Sequence, residues 1–335
     1  MGAYNVRSVA LADPARSRRI WPYVQIARVD HWFKNAFMLL GVILALFYRP
    51  QLLTWRSLVP LGIAVLATCL IASSNYVINE LLDGPLDARH PSKKQRPVPA
   101  GQIRPALAYV EWLTLAALGI GLAFLVNRYF AAAGIWLWVM GMAYNIPPVR
   151  TKELPYIDVL SEAVNNPIRL LLGWFALVTD VFPPVSLVLS YWMVGAFFMA
   201  TKRFAEYRHI GDPAVAAAYR RSFAHYTEER LLVSLFFYAT ACALFAGIFI
   251  VRYHVELILF VPVAAGLFAY YLNIGLQPNS PVQNPEQLYK QPFFLTYAFL
   301  SAAVFVLLMF TNIPAMYDWF NVAPSAVDPL WTIGR

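Results

Sequence analysis

The chain has 335 residues; 60% are hydrophobic, 13% are charged, and the formal net charge is +8. A soluble globular domain holds about 45–50% apolar and about 25% charged residues, so this composition excludes that class. Two cysteines, Cys69 and Cys242, both inside apolar runs, exclude a disulfide-stapled fold.

Arg16, Arg18 and Arg19 give the start of the chain a basic character, but no short apolar region with a small-residue cleavage site follows them. Ile20–Ile26 reads as a short amphipathic helix at the membrane interface. Nine apolar stretches follow, at 33–48, 57–81, 105–126, 130–147, 156–178, 184–203, 231–252, 255–277 and 292–313. Most approach the ~20 residues needed to cross a ~30 Å hydrocarbon layer. They are unbroken and do not alternate, so they predict helices and not barrel strands. The expected fold is an all-α integral membrane protein with nine transmembrane helices in a single domain, 1–335. Its N-terminal segment would be 1–27, its helical core 28–313 and its tail 314–335.

Charge sets the orientation. With a cytoplasmic N-terminus, 20 of the 26 lysines and arginines fall on the cytoplasmic side, in that segment, in the loops after spans 2, 4, 6 and 8, and at the adjoining span ends. Five (Arg49, Arg56, Arg128, Arg252 and Arg335) fall on the other side. The basic surplus is therefore explained by topology, and no nucleic-acid partner is needed. The expected location is a multi-pass membrane protein, in the inner membrane if the cell is bacterial, with its polar loops in the cytoplasm.

Three of those loops collect the chemistry. After span 2 comes NELLDGPLDARHPSKKQRP, residues 79–97. Asn79, Asp83 and Asp87 are spaced by four and share one face if the helix continues through Gly84-Pro85. With Glu80 they offer hard oxygen donors, which suit Mg²⁺ bound partly through substrate phosphates. Lys93 and Arg96 supply cations for phosphate oxygens. The alternative is a solvated loop whose charges pair with each other. Tyr144 to Lys152 closes span 4, and Pro147-Pro148 within it ends the helix; Tyr144 is either a site residue or an interfacial aromatic. Asp158, Glu162, Asn165 and Arg169 then form a polar stripe within span 5 that faces a cavity or fixes helix packing. Span 6 closes on Lys202, Arg203 and Glu206, with Asp212 beyond; Lys202 and Glu206 also fit a plain i,i+4 pair. Arg220 and Arg221 fit contacts with anionic headgroups.

Asn79-Glu80-x-x-Asp83-x-x-x-Asp87, with the tail His90-Pro91-Ser92-Lys93 to Arg96-Pro97, resembles the Asn-Asp-x-x-Asp-x-x-x-Asp signature of the UbiA-type intramembrane prenyltransferases. That resemblance implies nine helices around a central cavity, with Mg²⁺ and a diphosphate bound by the acidic residues at the cytoplasmic mouth. Tyr144 and Lys152 fall where the family has a Tyr and a Lys near the diphosphate. A narrower likeness points to the decaprenyl-phosphate phosphoribosyltransferase branch. It rests on Arg28-x-x-x-Trp32-x-Lys34-Asn35, on Asp158 with Arg169, on Lys202-Arg203-x-x-Glu206, on Ser222 with Tyr226-Thr227, and on Pro285-Glu286-x-Leu288. Glu80 departs from the signature Asp, and Arg208 stands where many members begin a second acidic motif, of which Asp212 is all that remains.

The resemblance implies a Mg²⁺-dependent transferase, with Mn²⁺ as a substitute metal. Asn79, Glu80, Asp83 and Asp87 would hold the metal. Lys93, Arg96, Lys152, Lys202 and Arg203 would neutralise the leaving diphosphate, with Tyr144, Asp158, Arg169 and Glu206 beside them. Arg28, Lys34, Asn35 and Asp212 would bind substrate. The partners would be a water-soluble diphosphate donor, a lipid-linked polyprenyl substrate and membrane lipid; a homo-oligomer is compatible with it. Phosphoribosyl transfer from phosphoribosyl pyrophosphate to a polyprenyl phosphate is the first reading. Prenyl transfer to an aromatic or other small acceptor is the alternative, which the 16% aromatic content permits. A non-enzymatic carrier is disfavoured by the short, nearly uncharged outer loops.

Overall fold

The computed structural model describes residues 20–88, 93–283, 288, 290–322 and 330–333. His90, Pro91 and Ser92, the basic residues before Ile20, and Pro285-Glu286 lie outside the described residues. Thirteen α-helices follow in order: α1 Trp21–Ile26, α2 Leu39–Tyr48, α3 Trp55–Asp87, α4 Pro105–Val126, α5 Arg128–Asn145, α6 Ile157–Ala163, α7 Asn165–Phe175, α8 Val185–Ile210, α9 Pro213–Tyr219, α10 Glu228–Tyr253, α11 Val261–Gly275, α12 Pro292–Met309 and α13 Pro314–Trp319.

Among the described residues, seven helical stretches are long and apolar enough to cross a membrane. They are Trp21–Tyr48, Trp55–Asp87, Pro105–Val126, Val185–Ile210, Glu228–Tyr253, Val255–Gly275 and Pro292–Met309. The two expected spans outside this set are 130–147 and 156–178. The first is α5, whose ends Arg128 and Asn145 and internal Tyr and Trp residues dilute its apolar character. The second is split, because the chain turns at Val164 between α6 and α7 and carries Asp158, Glu162, Asn165, Asn166 and Arg169 there. The helix expected at 20–26 is present as α1, and 3₁₀ turns over Val29–Met38 join it to α2.

α7 is the axis of the bundle. Pro167 to Phe175 are all buried, the pattern of a helix surrounded by protein. It packs on α2, α5 and α8. α3, α4 and α5 pack together on one flank, while α8 with α10 and α11 with α12 form the other. Glycine permits the tightest contact: a Cβ at Gly41 would strike the Leu170 carbonyl, and one at Gly173 the Met38 carbonyl. Close backbone approach of this kind is how helices associate where lipid is as apolar as their side chains. Phe236, Phe237, Phe299 and Leu307 stay exposed on the outer faces, as a lipid-facing surface requires.

The two ends differ in polarity. At one end the last turns of α3, α5 and α8 and the first turns of α6 and α10 bring the polar loops together. At the other, Arg49 after α2 pairs with Asp180 after α7 at 2.9 Å, and Thr332 bridges to Val181.

Candidate active site

α3 continues through Pro85 to Asp87. Only one turn follows Gly84, so the missing proline N–H costs little at the helix end. A Cβ at Gly84 would lie 2.7 Å from Val98, so glycine here lets the 93–104 loop fold back over the helix. Asn79, Asp83 and Asp87 therefore share a face, as their spacing predicts.

Each carboxylate on that face meets a cation. Asp83 Oδ1 accepts from Lys152 Nζ at 2.5 Å and from Arg150 Nη2 at 3.1 Å. Asp87 accepts from Arg96 at 2.6 Å, with Lys93 at 3.9 Å. Asn79 Nδ2 donates to Asn145 Oδ1 at 2.6 Å, and Lys152 donates to the same oxygen at 2.9 Å. Burial pulls the Lys152 ammonium below the usual lysine range, and the Asp83 carboxylate opposes that pull.

Glu80 behaves differently from the other three members of the expected metal set. Its side chain is buried and turned to Arg28 Nη2 and to the Val98 N–H, each at 3.5 Å. Among the described residues, no group of three or more acidic, His or Cys side chains gathers closely enough to cage a metal. What the structure offers is Asp83 and Asp87 one turn apart, with Asn79 beside them. That open, all-oxygen donor set fits Mg²⁺, which retains waters and takes further ligands from phosphate. Glu80→Asp shortens a side chain that already reaches both partners at the limit of hydrogen bonding. We expect it to raise the KM for donor several-fold while leaving the Mg²⁺ requirement unchanged, as a metal titration of turnover will show.

A second cluster surrounds Asp158, which is fully buried. Its carboxylate accepts from Arg203 Nε and Ser222 Oγ, each at 3.2 Å, and from the Tyr226 hydroxyl at 2.6 Å; Arg220 Nε lies at 3.5 Å. Burial and the Asp158 carboxylate push the Tyr226 phenol up. Arg203 also donates to Glu206 at 2.9 Å, and Lys202 stands 3.9 Å from Glu206, the expected i,i+4 pair. The Tyr144 hydroxyl accepts from Arg220 at 3.0 Å and from Arg203 at 3.5 Å. Burial and Arg203 oppose the charge on Arg220, but Tyr144, Asp158 and Glu206 outweigh them and hold it above the usual arginine range. Arg220 also donates to the Lys152 carbonyl at 3.3 Å, which joins the two clusters.

Backbone strain concentrates here. Among the described residues, five non-glycine residues have positive φ, and three of them serve these clusters. Arg28 (φ 48°) pairs with Glu80, Arg150 (φ 28°) pairs with Asp83, and Tyr156 (φ 64°) donates its N–H to the Tyr226 hydroxyl. Such conformations cost about 1–3 kcal/mol each and persist where surrounding contacts fix them.

The polar stripe in the fifth expected span is divided. Asp158 belongs to the second cluster, whereas Arg169 lies farther along and donates to Asn35 Oδ1 at 3.0 Å and to the Asn165 carbonyl at 3.2 Å. Lys34 Nζ sits 3.3 Å from His31 Nδ1. Asp212 is exposed and caps α9 through the N–H groups of Ala214 and Val215, so the structure gives it a local task apart from the clusters. Asn145, Arg150 and Arg220 are the site neighbours that sequence reasoning passed over. The first two sit within the 144–152 run. Arg220 was read as a headgroup contact because nothing in sequence spacing connects it to Tyr144, 76 residues away.

Residues 36–296 match the UbiA prenyltransferase family. The chain belongs to that family. It is 28% identical over 213 residues to a decaprenyl-phosphate phosphoribosyltransferase of Corynebacterium glutamicum, a match covering 62% of this chain and 60% of that one. The chain thus spans less than two thirds of that relative's length. A Mycobacterium tuberculosis protein of the same name is 28% identical over 226 residues, 67% of this chain and 72% of that one. A 4-hydroxybenzoate octaprenyltransferase of Pseudomonas syringae is 30% identical over 127 residues, 38% of this chain and 41% of that one. The fold matches that of a UbiA homologue from Archaeoglobus fulgidus solved with GPP and Mg²⁺, with TM-score 0.63 and 18% identity, over 89% of this chain and 99% of that one. The UbiA fold expected from the signature at residues 79–87 is therefore present.

Proposed function

We propose that this UbiA-family chain transfers a phosphoribosyl group from phosphoribosyl pyrophosphate to a polyprenyl phosphate. The observation that carries this reading is the pair of linked cation clusters. One surrounds Asp83 and Asp87; the other, Lys202, Arg203 and Arg220, lies around Asp158 and Glu206. A donor with phosphate at both ends of a ribose calls for cations beyond those at the diphosphate. A prenyl diphosphate carries phosphate at one end alone. The names of the Corynebacterium and Mycobacterium relatives support the same donor.

Asp83 and Asp87, with the Asn79 amide oxygen, would hold Mg²⁺, or Mn²⁺ in its place. The metal supplies Lewis-acid charge at the diphosphate. Lys93, Arg96, Arg150 and Lys152 now cap the two carboxylates, and the same cations are placed to take phosphate oxygens when donor arrives. The bond from ribose C1 to the diphosphate oxygen breaks, and its electron pair leaves with the diphosphate. Fixed cations stabilise that charge as it develops. C1 gains oxocarbenium character, and an oxygen of the acceptor phosphate closes the new bond. That phosphate is already ionised, so no strong general base is required. Asp158 would orient Arg203 and Arg220.

The chain path supports a nine-span topology. α5 ends at the polar site, α6 begins there, and α7 leads to Asp180 at the opposite end, so α5 and the α6–α7 pair each cross the bundle. The charge asymmetry supports a cytoplasmic polar end. Single cysteines introduced at 99–104 and 208–221 will stay protected from an impermeant external reagent in intact cells; labelling of both segments from outside would invert the topology. The donor assignment is tested by equilibrium binding with Mg²⁺. Phosphoribosyl pyrophosphate should bind more tightly than geranyl diphosphate, and the reverse order would favour the prenyl donor.

A further inference from the structure

Three lysines and arginines are buried among the described residues: Lys152, Arg169 and Arg203. Lys152 is paired with Asp83, and Arg203 with Asp158 and Glu206. Arg169 is 8% exposed and forms no ion pair with a carboxylate among those residues. Its hydrogen bonds go to neutral oxygens, the Asn35 amide and the Asn165 carbonyl. A buried guanidinium without an anion is costly in a membrane domain unless a ligand supplies the charge.

The surroundings are built to hold Arg169 still. Asn35 accepts its Nε–H and is itself anchored by donating to Cys69 Sγ at 3.2 Å. Asn35 belongs to the 3₁₀ segment that packs on α7, where Gly41 and Gly173 lock the neighbouring turns. Tyr76 stands two turns past Cys69 on α3, and His31 of the 3₁₀ segment packs edge-on against its ring. Arg28 leans over the Tyr76 ring at 5.6 Å, connecting this region to Glu80. Arg169 is eleven residues past Asp158, beyond the turn at Val164.

We propose that Arg169, fixed by Asn35 and the Asn165 carbonyl, forms a second anion subsite that takes a phosphate monoester, separate from the diphosphate site at Asp83 and Asp87. The guanidinium supplies a fork suited to phosphate oxygens. This inference rests on the transferase reading above, which has two sources of such a group: the 5-phosphate of the donor and the headgroup phosphate of the polyprenyl acceptor.

The test is equilibrium binding to the full chain in nanodiscs with three probes: Mg²⁺-pyrophosphate, ribose 5-phosphate and farnesyl phosphate. Arg169→Gln should weaken at least one phosphomonoester about ten- to a hundredfold, the loss expected for a charge-assisted bond, and leave Mg²⁺-pyrophosphate within about twofold. A loss for farnesyl phosphate assigns the subsite to the acceptor, and a loss for ribose 5-phosphate assigns it to the donor. Unchanged affinity for both esters, or an equal loss for Mg²⁺-pyrophosphate, would overturn the proposal. Should Arg169→Gln fail to fold, the wild-type protein decides. Separate subsites require that a phosphomonoester and Mg²⁺-pyrophosphate bind together, whereas mutual exclusion, or no binding of either ester, overturns the proposal. If phosphoribosyl pyrophosphate does not bind the wild type while farnesyl phosphate does, the donor assignment fails and the subsite stands or falls on the lipid probe alone.

Discussion

Asp83→Asn is expected to lower kcat/KM at least about a hundredfold, with the protein still folded. Asp83 is the carboxylate on which Lys152, Arg150 and Asn79 all converge, at 2.5, 3.1 and 3.3 Å. The amide keeps the size of the side chain but removes a hard anionic ligand for the metal and the counter-charge of two cations. Removing one fixed electrostatic contact to a developing oxyanion costs about 10²–10³ in rate, and here a metal ligand is lost too. Asp87→Asn should follow the same direction with a smaller effect, since among the described residues Arg96 is its nearest cation and Lys93 stands 3.9 Å away. Excess Mg²⁺ will recover little of either loss. Full turnover of Asp83→Asn, or full wild-type turnover in excess chelator, would remove the metal from the mechanism.

Arg203→Ala is expected to weaken phosphoribosyl pyrophosphate about ten- to a hundredfold while free diphosphate binding changes much less. It should also destabilise the protein by about 3–5 kcal/mol, because Glu206 and Asp158 lose their shared buried cation and only Lys202 and Arg220 remain to offset them. Lys202→Ala should act in the same direction and more weakly. Lys202 is a quarter exposed and stands 3.9 Å from Glu206, whereas Arg203 bonds three groups. Titration of both ligands separates donor binding from a purely structural effect, and equal weakening for both would place Arg203 at the diphosphate and favour a prenyl donor.

Much of this arrangement was legible in the sequence because it is carried by local spacing. The apolar run at 105–126 coincides with α4, whose Pro105 start and Asn127 end punctuate it. The four-residue spacing of Asn79, Asp83 and Asp87 put them on one face, and Lys202 with Glu206 formed the pair their spacing implies. Features that depend on tertiary contact were not legible. The break at Val164 is signalled by Pro167 alone, whose missing N–H leaves the Ala163 carbonyl without its helical partner; a proline three residues into a helix is also an ordinary helix start, so the fifth span reads as continuous and Asp158 and Arg169 as one stripe. Arg220 becomes a site neighbour only because the α8–α10 connection folds Phe223 and Tyr226 against Phe204. Glu80 read as a fourth metal ligand because it sits in the signature; its burial against Arg28 and Val98 is set by how the 93–104 loop returns over Gly84.

The most direct measurement of the central claim is turnover by the purified chain in lipid, given Mg²⁺, phosphoribosyl pyrophosphate labelled in the ribose, and a panel of polyprenyl phosphates. The account predicts that label enters the lipid fraction, with one pyrophosphate released per ribose transferred and no transfer in excess chelator. Failure to label any polyprenyl phosphate, together with prenylation of an aromatic acceptor from a polyprenyl diphosphate, would contradict it.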